Sequence, residues 1–300
     1  MPIKRRKKTF VLIIPSFEDI FHSYYAGEII KGASLAASRL NVDILIHIVN
    51  RFDHRGWIDS SLLDVQYVDG IIFGDIDNDV AVVKRVINRR MPTIVLNNYL
   101  NEPINCVAID NYKAGVEAVR HFVKLGHKRI ATIAGEQNTQ AGVLRLDGYH
   151  AALTEIGIKA PKSYVTYGDF LRTPARAAAK KLLNLKTRPT AIFAASDVMA
   201  MELMDVAKAQ NIKVPQDLSI IGFDDNPLNA NCSLPLTTVS QPLIEMARLG
   251  TEDLYQICQG KARLPVKVML PAKLIVRQTT AACPVHARDL PDSGKESEDV

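Results

Sequence analysis

Across its 300 residues the chain has no apolar run close to the ~18 residues that a membrane span needs. The early run FVLII at 10–14 is broken by Pro15, and no small-residue cleavage site follows. It is read as a first core strand and not as a secretory leader. The four cysteines, Cys106, Cys232, Cys258 and Cys283, form no CxxC pair, and the histidines at 22, 47, 54, 121, 127, 150 and 286 show no zinc-ligand spacing. Reduced thiols in a cytoplasm are the simplest account. Neither a metal nor a cofactor is expected, and no membrane partner. The catalytic signatures are missing too: GxGxxG, GxxxxGKS/T, HExxH and GxSxG do not occur. An enzyme is therefore not expected, and a binding protein fits better.

Excess charge is scarce once it is located. The formal net charge is +5, from 37 basic and 32 acidic residues. Lys4, Arg5, Arg6, Lys7 and Lys8 supply all of it, so the remainder holds 32 of each sign and is neutral. The basic stretch 1–8 reads equally as a nucleic-acid contact or linker remnant, or as a solubilising tail.

What the chain does have is alternation. Apolar runs at 10–14, 42–49, 70–73, 93–96, 106–109, 129–134, 164–167, 191–194, 218–221, 236–239, 266–270 and 274–276 read as strands. Helical spacing falls at 25–40, 80–90, 111–125, 144–156, 174–185, 198–210 and 243–259. Asn111 is a candidate cap for the third helix and Gly126 its terminator. The signals repeat: FVLIIPS (10–16) parallels RIATIAG (129–135), GIIFGD (70–75) parallels TAIFAASD (190–197), and TIVLNN (93–98) parallels LSIIGFD (218–224). The expected fold is α/β, with two tandem doubly wound parallel-sheet units. Segment 281–300, with Pro, Ser, Gly and acidic residues and no periodicity, is expected to be a disordered tail.

Ser16, Asp75, Asn97, Asp197 and Asp224 all fall just past strand ends. Ligands bind at that edge of an open α/β sheet. Asp197 and Asp224 can each accept two hydroxyl hydrogen bonds, Arg145 is a planar multiple donor, and Phe170 offers a flat apolar face. That set suits a sugar, with hydroxyls on its rim and C–H groups on its faces. Plainer readings stand beside it: Asp197 as a helix cap, Asp224 as a turn residue, Arg145 paired to a surface acid, Phe170 in a core. His22, Tyr24 and Tyr25 lie in the first loop and could reach the same cleft.

The segments VAIDNYKAGVEAVRHFVKLGHKRIATIAG (107–135), RLDGYHAAL (145–153), the run from PTAIFAASD to IIGFDD (189–225), LPLTTVSQPLIEMARLGTEDL (234–254) and LIVRQTT (274–280) carry a resemblance. Over about 10–280 the chain resembles the effector-binding core of the lactose/galactose/purine repressor (LacI/GalR-type) family, a periplasmic-binding-protein-like fold. The resemblance implies two subdomains, 9–109 with 240–270 and 110–239 with 271–280, closing on a sugar or related metabolite. By motif, Arg145 matches the family's ligand-binding Arg, Phe170 its stacking aromatic and Asp224 its hydroxyl-holding acid. Ser196 stands where an Asn is usual, Asn97 where some members have Asp, and Gln241 lies at a crossover. The first loop lacks the family's Asn-Pro-Phe. The family's N-terminal helix-turn-helix is expected to be lacking, so operator DNA would be met only through a domain not present in this chain. A homodimer and ligand-driven closure are the implied mechanism. The alternative is a stand-alone solute-binding protein.

Overall fold

The apolar runs form two six-stranded sheets in the computed structural model, which describes residues 6–16, 23–50, 67–76 and 80–284. The first sheet holds β1 (Thr9–Ser16), β2 (Asp43–Asn50), β3 (Gly70–Phe73), β4 (Thr93–Leu96), β5 (Cys106–Ile109) and β11 (Lys267–Leu270), in the order β11-β5-β4-β3-β1-β2. The second holds β6 (Ile130–Ala134), β7 (Val165–Tyr167), β8 (Ala191–Ala194), β9 (Ser219–Asp224), β10 (Thr237–Ser240) and β12 (Lys273–Ile275), in the order β12-β10-β9-β8-β6-β7. The two orders are superposable, with β1 in the place of β6, β3 of β8 and β4 of β9. The repeat of signals in the sequence is thus a repeat of structure. Among the described pairings one departs from the parallel rule: β12 runs antiparallel to β10.

Eight helices among the described residues cover the sheets: α1 (Tyr24–Leu40), α2 (Val80–Asn88), α3 (Asn111–Lys124), α4 (Gln140–Thr154), α5 (Arg172–Leu183), α6 (Asp197–Ala209), α7 (Pro227–Ala230) and α8 (Leu243–Cys258). Because helices lie on both faces, β3, β4, β5, β6 and β8 are buried at every position. The chain passes from sheet to sheet after β5, after β10 and between β11 and β12.

Two caps differ from expectation. Asp110, not Asn111, caps α3, accepting from Lys113 N at 2.8 Å. Asn111 is instead the first helical residue and fully buried, which frees its amide for the site. Ser196, not Asp197, caps α6, accepting from Met199 N at 3.3 Å. In both cases the chain turns one residue away from the predicted point.

The ends are tied down further than their composition indicates. Arg6 and Lys8 pair with Asp69, and Lys7 pairs with Asp43, so three of the five N-terminal cations meet carboxylates beside the first sheet. Ala281 and Cys283 are also held, by Ala281 N donating to Ser219 Oγ and Cys283 N to Leu125 O. Cys283 is buried. The segment expected to be disordered from 281 onward is therefore anchored at its start, and its remainder, 285–300, lies outside the described residues.

Helices α3 and α4 approach closely at glycines. A methyl on Gly115 would lie 2.7 Å from Arg145 O, and one on Gly148 2.9 Å from Val116 N. Only hydrogen fits there. This close contact brings Arg145 of α4 beside Asn111 of α3.

Candidate functional site

Strand ends of both sheets face one cavity of ≈ 430 Å3. From the first sheet come Asp75 after β3 and Asn97 after β4; from the second come Ser196 after β8 and Asp224 at the end of β9. Arg145, Phe170 and Gln241 also line it. Seven of the nine residues expected at the site thus share one wall system.

Arg145 is 3% exposed and does not pair with a surface acid. Its Nε donates to Asn111 Oδ1 at 2.9 Å and its Nη1 to Ala195 O at 2.7 Å. The guanidinium carbon lies 3.5 Å from the Phe223 ring centre and 5.8 Å from that of Phe170. Asp224 Oδ1 is 4.0 Å from Nη1. Burial pulls the Arg145 pKa down to about 10, against the opposing pull of Asp224 and Asp75, so the group remains a cation at neutral pH. Burial also pushes the Asp224 carboxyl up to about 7, with Arg145 opposing the rise and Asp197 adding to it.

Two acid–amide pairs face the cavity. Asn97 Nδ2 donates to Asp75 Oδ2 at 3.0 Å, and Gln241 Nε2 donates to Asp224 Oδ1 at 2.6 Å. One pair stands at the edge of each sheet. The backbone around them is held in uncommon conformations: φ is 64° at Asn97, 52° at Asp169, 61° at Phe170, 129° at Asp224 and 62° at Asp225. Non-glycine residues in this region cost about 1–3 kcal/mol each and persist only where the surroundings enforce them. Three of them, Asn97, Phe170 and Asp224, line the cavity, and Asp169 and Asp225 adjoin two of these.

Asp197 does not line the cavity. Its Oδ1 accepts from Thr238 Oγ1 at 2.6 Å and its Oδ2 from Asn226 N at 2.8 Å. In place of the expected direct ligand contact, Asp197 forms a buried brace from α6 to strand β10 and to the turn after β9. A carboxylate so satisfied has little left to offer a ligand. Ser16 ends β1, but its side chain lies outside the described residues, as does His22. Tyr24 and Tyr25 do reach the cavity. Tyr25 OH donates to Gly74 O, and Tyr24 OH to Asp225 O at 3.4 Å. Burial pushes the Tyr24 phenol well above its usual range, so it stays protonated.

Sequence reasoning missed Thr139, Ala141, Leu171, Arg172 and Val198. Leu171 and Val198 adjoin chosen residues, and the apolar or small side chains of Thr139, Ala141, Leu171 and Val198 carried no chemical signal. Arg172 was legible as a cation two residues past Phe170. It donates to Glu202 Oε1 at 3.2 Å across the α5–α6 contact. Gln140 was missed as well. Its amide grips the backbone of Tyr99: Tyr99 N donates to Gln140 Oε1 at 2.7 Å, and Gln140 Nε2 donates to Tyr99 O at 2.9 Å.

A family model described as a periplasmic binding protein-like domain matches residues 119–280. The transcriptional repressor CytR of Escherichia coli K12 is 33% identical over 287 residues, covering 94% of this chain and 82% of CytR. The chain belongs to the LacI family of transcription regulators. The transcriptional regulator DegA of Bacillus subtilis is 32% identical over 281 residues, covering 92% of this LacI-family chain and 82% of DegA. Among solved structures, a complex of the transcriptional regulator CelR with cellobiose superposes with a TM-score of 0.84 at 30% identity, covering 92% of this chain and 85% of CelR. The lac repressor dimer bound to operator and the anti-inducer ONPF superposes at 0.82 and 26%, covering 93% and 96%. These relatives are regulators, and the LacI-family chain is not an enzyme. Among the described residues no helix is long and apolar enough to cross a membrane.

Proposed function

We propose that this chain senses a sugar or related small polyhydroxylated metabolite, and that binding closes the two sheets' units on it to control DNA binding. The observation that carries the reading is the convergence of Arg145 and Asp224 from one side with Asp75 and Asn97 from the other, and of Gln241 at the crossing between them, around one ≈ 430 Å3 cavity. That volume lies in the range of small-molecule sites. Phe170 supplies an apolar platform against the C–H face of a ring. Charge-assisted hydrogen bonds to Arg145 and Asp224 contribute about 1.5–3 kcal/mol each. The units are 9–109 with 240–270 and 110–239 with 271–280, joined by the three crossings. Closure is a population shift: the ligand touches both units and so favours the closed form. The regulator acts as a homodimer in the cytoplasm, and its operator is read by a DNA-binding domain that this core orients.

A thermal-shift and titration screen with sugars and sugar phosphates tests the reading. A ligand at about 100 times its Kd stabilises the fold by ~2.7 kcal/mol. Arg145→Ala and Asp224→Ala each weaken that ligand about ten- to a hundredfold. Unchanged affinity in both variants sinks the site assignment.

A further inference from the structure

Charge on the body is balanced in total but not in distribution. In a doubly wound unit each helix returns the chain to the start of a parallel strand, so the turns entering β6 and β8 lie at the edge of the second sheet opposite the cavity. Residues 124–129 enter β6 with Lys124, Lys128 and Arg129, and residues 180–190 enter β8 with Lys180, Lys181, Lys186 and Arg188. These two turns carry seven basic residues and no acid. They lie side by side, Thr190 N donating to Arg129 O at 2.9 Å.

Helix dipoles account for part of this. Lys124 stands in the last turn of α3, and Lys180 and Lys181 in that of α5, where cations are favoured. Lys128, Arg129, Lys186 and Arg188 lie beyond those ends. Elsewhere on the same unit Arg120, Arg172 and Arg176 each meet a carboxylate. Among the described residues none of the seven does, and Arg129 Nε is buried without a hydrogen-bond partner.

The C-terminal segment leaves the body at the same place. His127 joins it to both turns: its Nε2 donates to Ala281 O at 3.0 Å, and its Nδ1 pairs with Thr190 Oγ1 at 2.9 Å. Cys283 N donates to Leu125 O at 2.8 Å. Residues 285–300 then hold five acids, Asp289, Asp292, Glu296, Glu298 and Asp299, against two bases. At about 3.3 Å per residue that length reaches about 50 Å, enough to cross both turns.

We propose that the acidic segment 285–300 folds back on the basic edge formed by the turns into β6 and β8 and screens it from other polyanions. Each exposed ion pair is weak. Tethering offsets this, since a short flexible tail is present at a roughly millimolar effective concentration. A bare basic edge would hold duplex DNA without regard to sequence, and the tail leaves that edge occupied. The contact is independent of the effector cavity, which lies at the other ends of the strands.

The test compares the native chain with a variant in which Asp289→Asn, Asp292→Asn, Glu296→Gln, Glu298→Gln and Asp299→Asn remove the tail acids. Melting curves check that the variant folds. Acetylation of single lysines by a limiting reagent is read by mass spectrometry. At low salt Lys180, Lys181 and Lys186 are expected to react about threefold more slowly in the native chain. The difference should vanish at about 0.5 M salt, where exposed charges are screened. Lys113, at the far end of α3, should react alike in both. Equal rates at low salt overturn the proposal. Random-sequence duplex DNA, followed by fluorescence anisotropy, should bind the variant about threefold or more tightly than the native chain. Adding Lys181→Glu and Lys186→Glu should cancel that gain. A native chain that already holds the duplex through Lys181 and Lys186 as tightly as the variant overturns the tail contact and makes the edge a nucleic-acid surface.

Discussion

Gln140 holds Tyr99 by its backbone alone, with one hydrogen bond in each direction, at 2.7 and 2.9 Å. Tyr99 follows β4 of the first sheet, and Gln140 opens α4 on the second. The contact is thus a latch between the two sheets' sides that does not itself line the cavity. Neighbours Thr139 and Ala141 do line the cavity.

Removing the latch with Gln140→Ala should open the unliganded protein. Two hydrogen bonds at about 1 kcal/mol each set the scale. Small-angle scattering should show a larger radius of gyration, and effector affinity should fall by up to about thirtyfold, because a less populated closed form lowers the apparent affinity. An unaltered radius together with unaltered affinity would remove the latch from the mechanism.

Asp224 makes a pH prediction with a definite sign. The carboxyl of an unfolded chain titrates near 3.8, whereas in the fold burial raises it to about 7. Between those values the folded protein keeps a proton that the unfolded chain has lost. The stability this contributes is complete below about pH 4 and disappears as pH rises through 7. Effector affinity runs the other way, since a hydroxyl donor is best accepted by the ionised carboxylate. Titrations from pH 5.5 to 8 should therefore show binding that tightens while the unliganded melting temperature drops. Asp224→Asn should flatten the Asp224 contribution to both trends. Asp197, also raised by burial, retains its own share of the stability slope.

Gly135 makes room for Phe170. A methyl there would overlap the ring near Cζ. Gly135→Ala should displace the ring and cost about 1–3 kcal/mol of stability, the usual range for overpacking. Loss of the platform should also weaken the effector. Denaturant melts and calorimetry on the one variant measure both effects, and an unperturbed affinity would show that Phe170 is packing only.

Much of this was legible in the chain. Parallel strands covered on both faces are continuous apolar runs, so GIIF, TIVL, CVAI and AIFA could be bounded to the residue. The C-terminal ends of β3, β4, β8 and β9 carry Asp75, Asn97, Ser196 and Asp224 because the chain must leave an apolar strand there, and polar residues mark the exit. Periodicity and punctuation are local, and the sequence states them directly.

Tertiary structure decided which of these polar groups meets the cavity. Asp197 and Asp224 look alike in the chain, each following an apolar run. The fold gives both Asp197 oxygens to Thr238 and Asn226, residues 41 and 29 positions away, and leaves Asp224 at the wall. Gln140 and Tyr99 likewise become a pair only when the two sheets face each other, 41 positions apart in sequence. Composition and spacing determined two sheets and the edge at which their polar residues gather. Hydrogen bonds between distant segments determined which side chains remain available there, because each donor or acceptor can be satisfied only by what packing brings within reach.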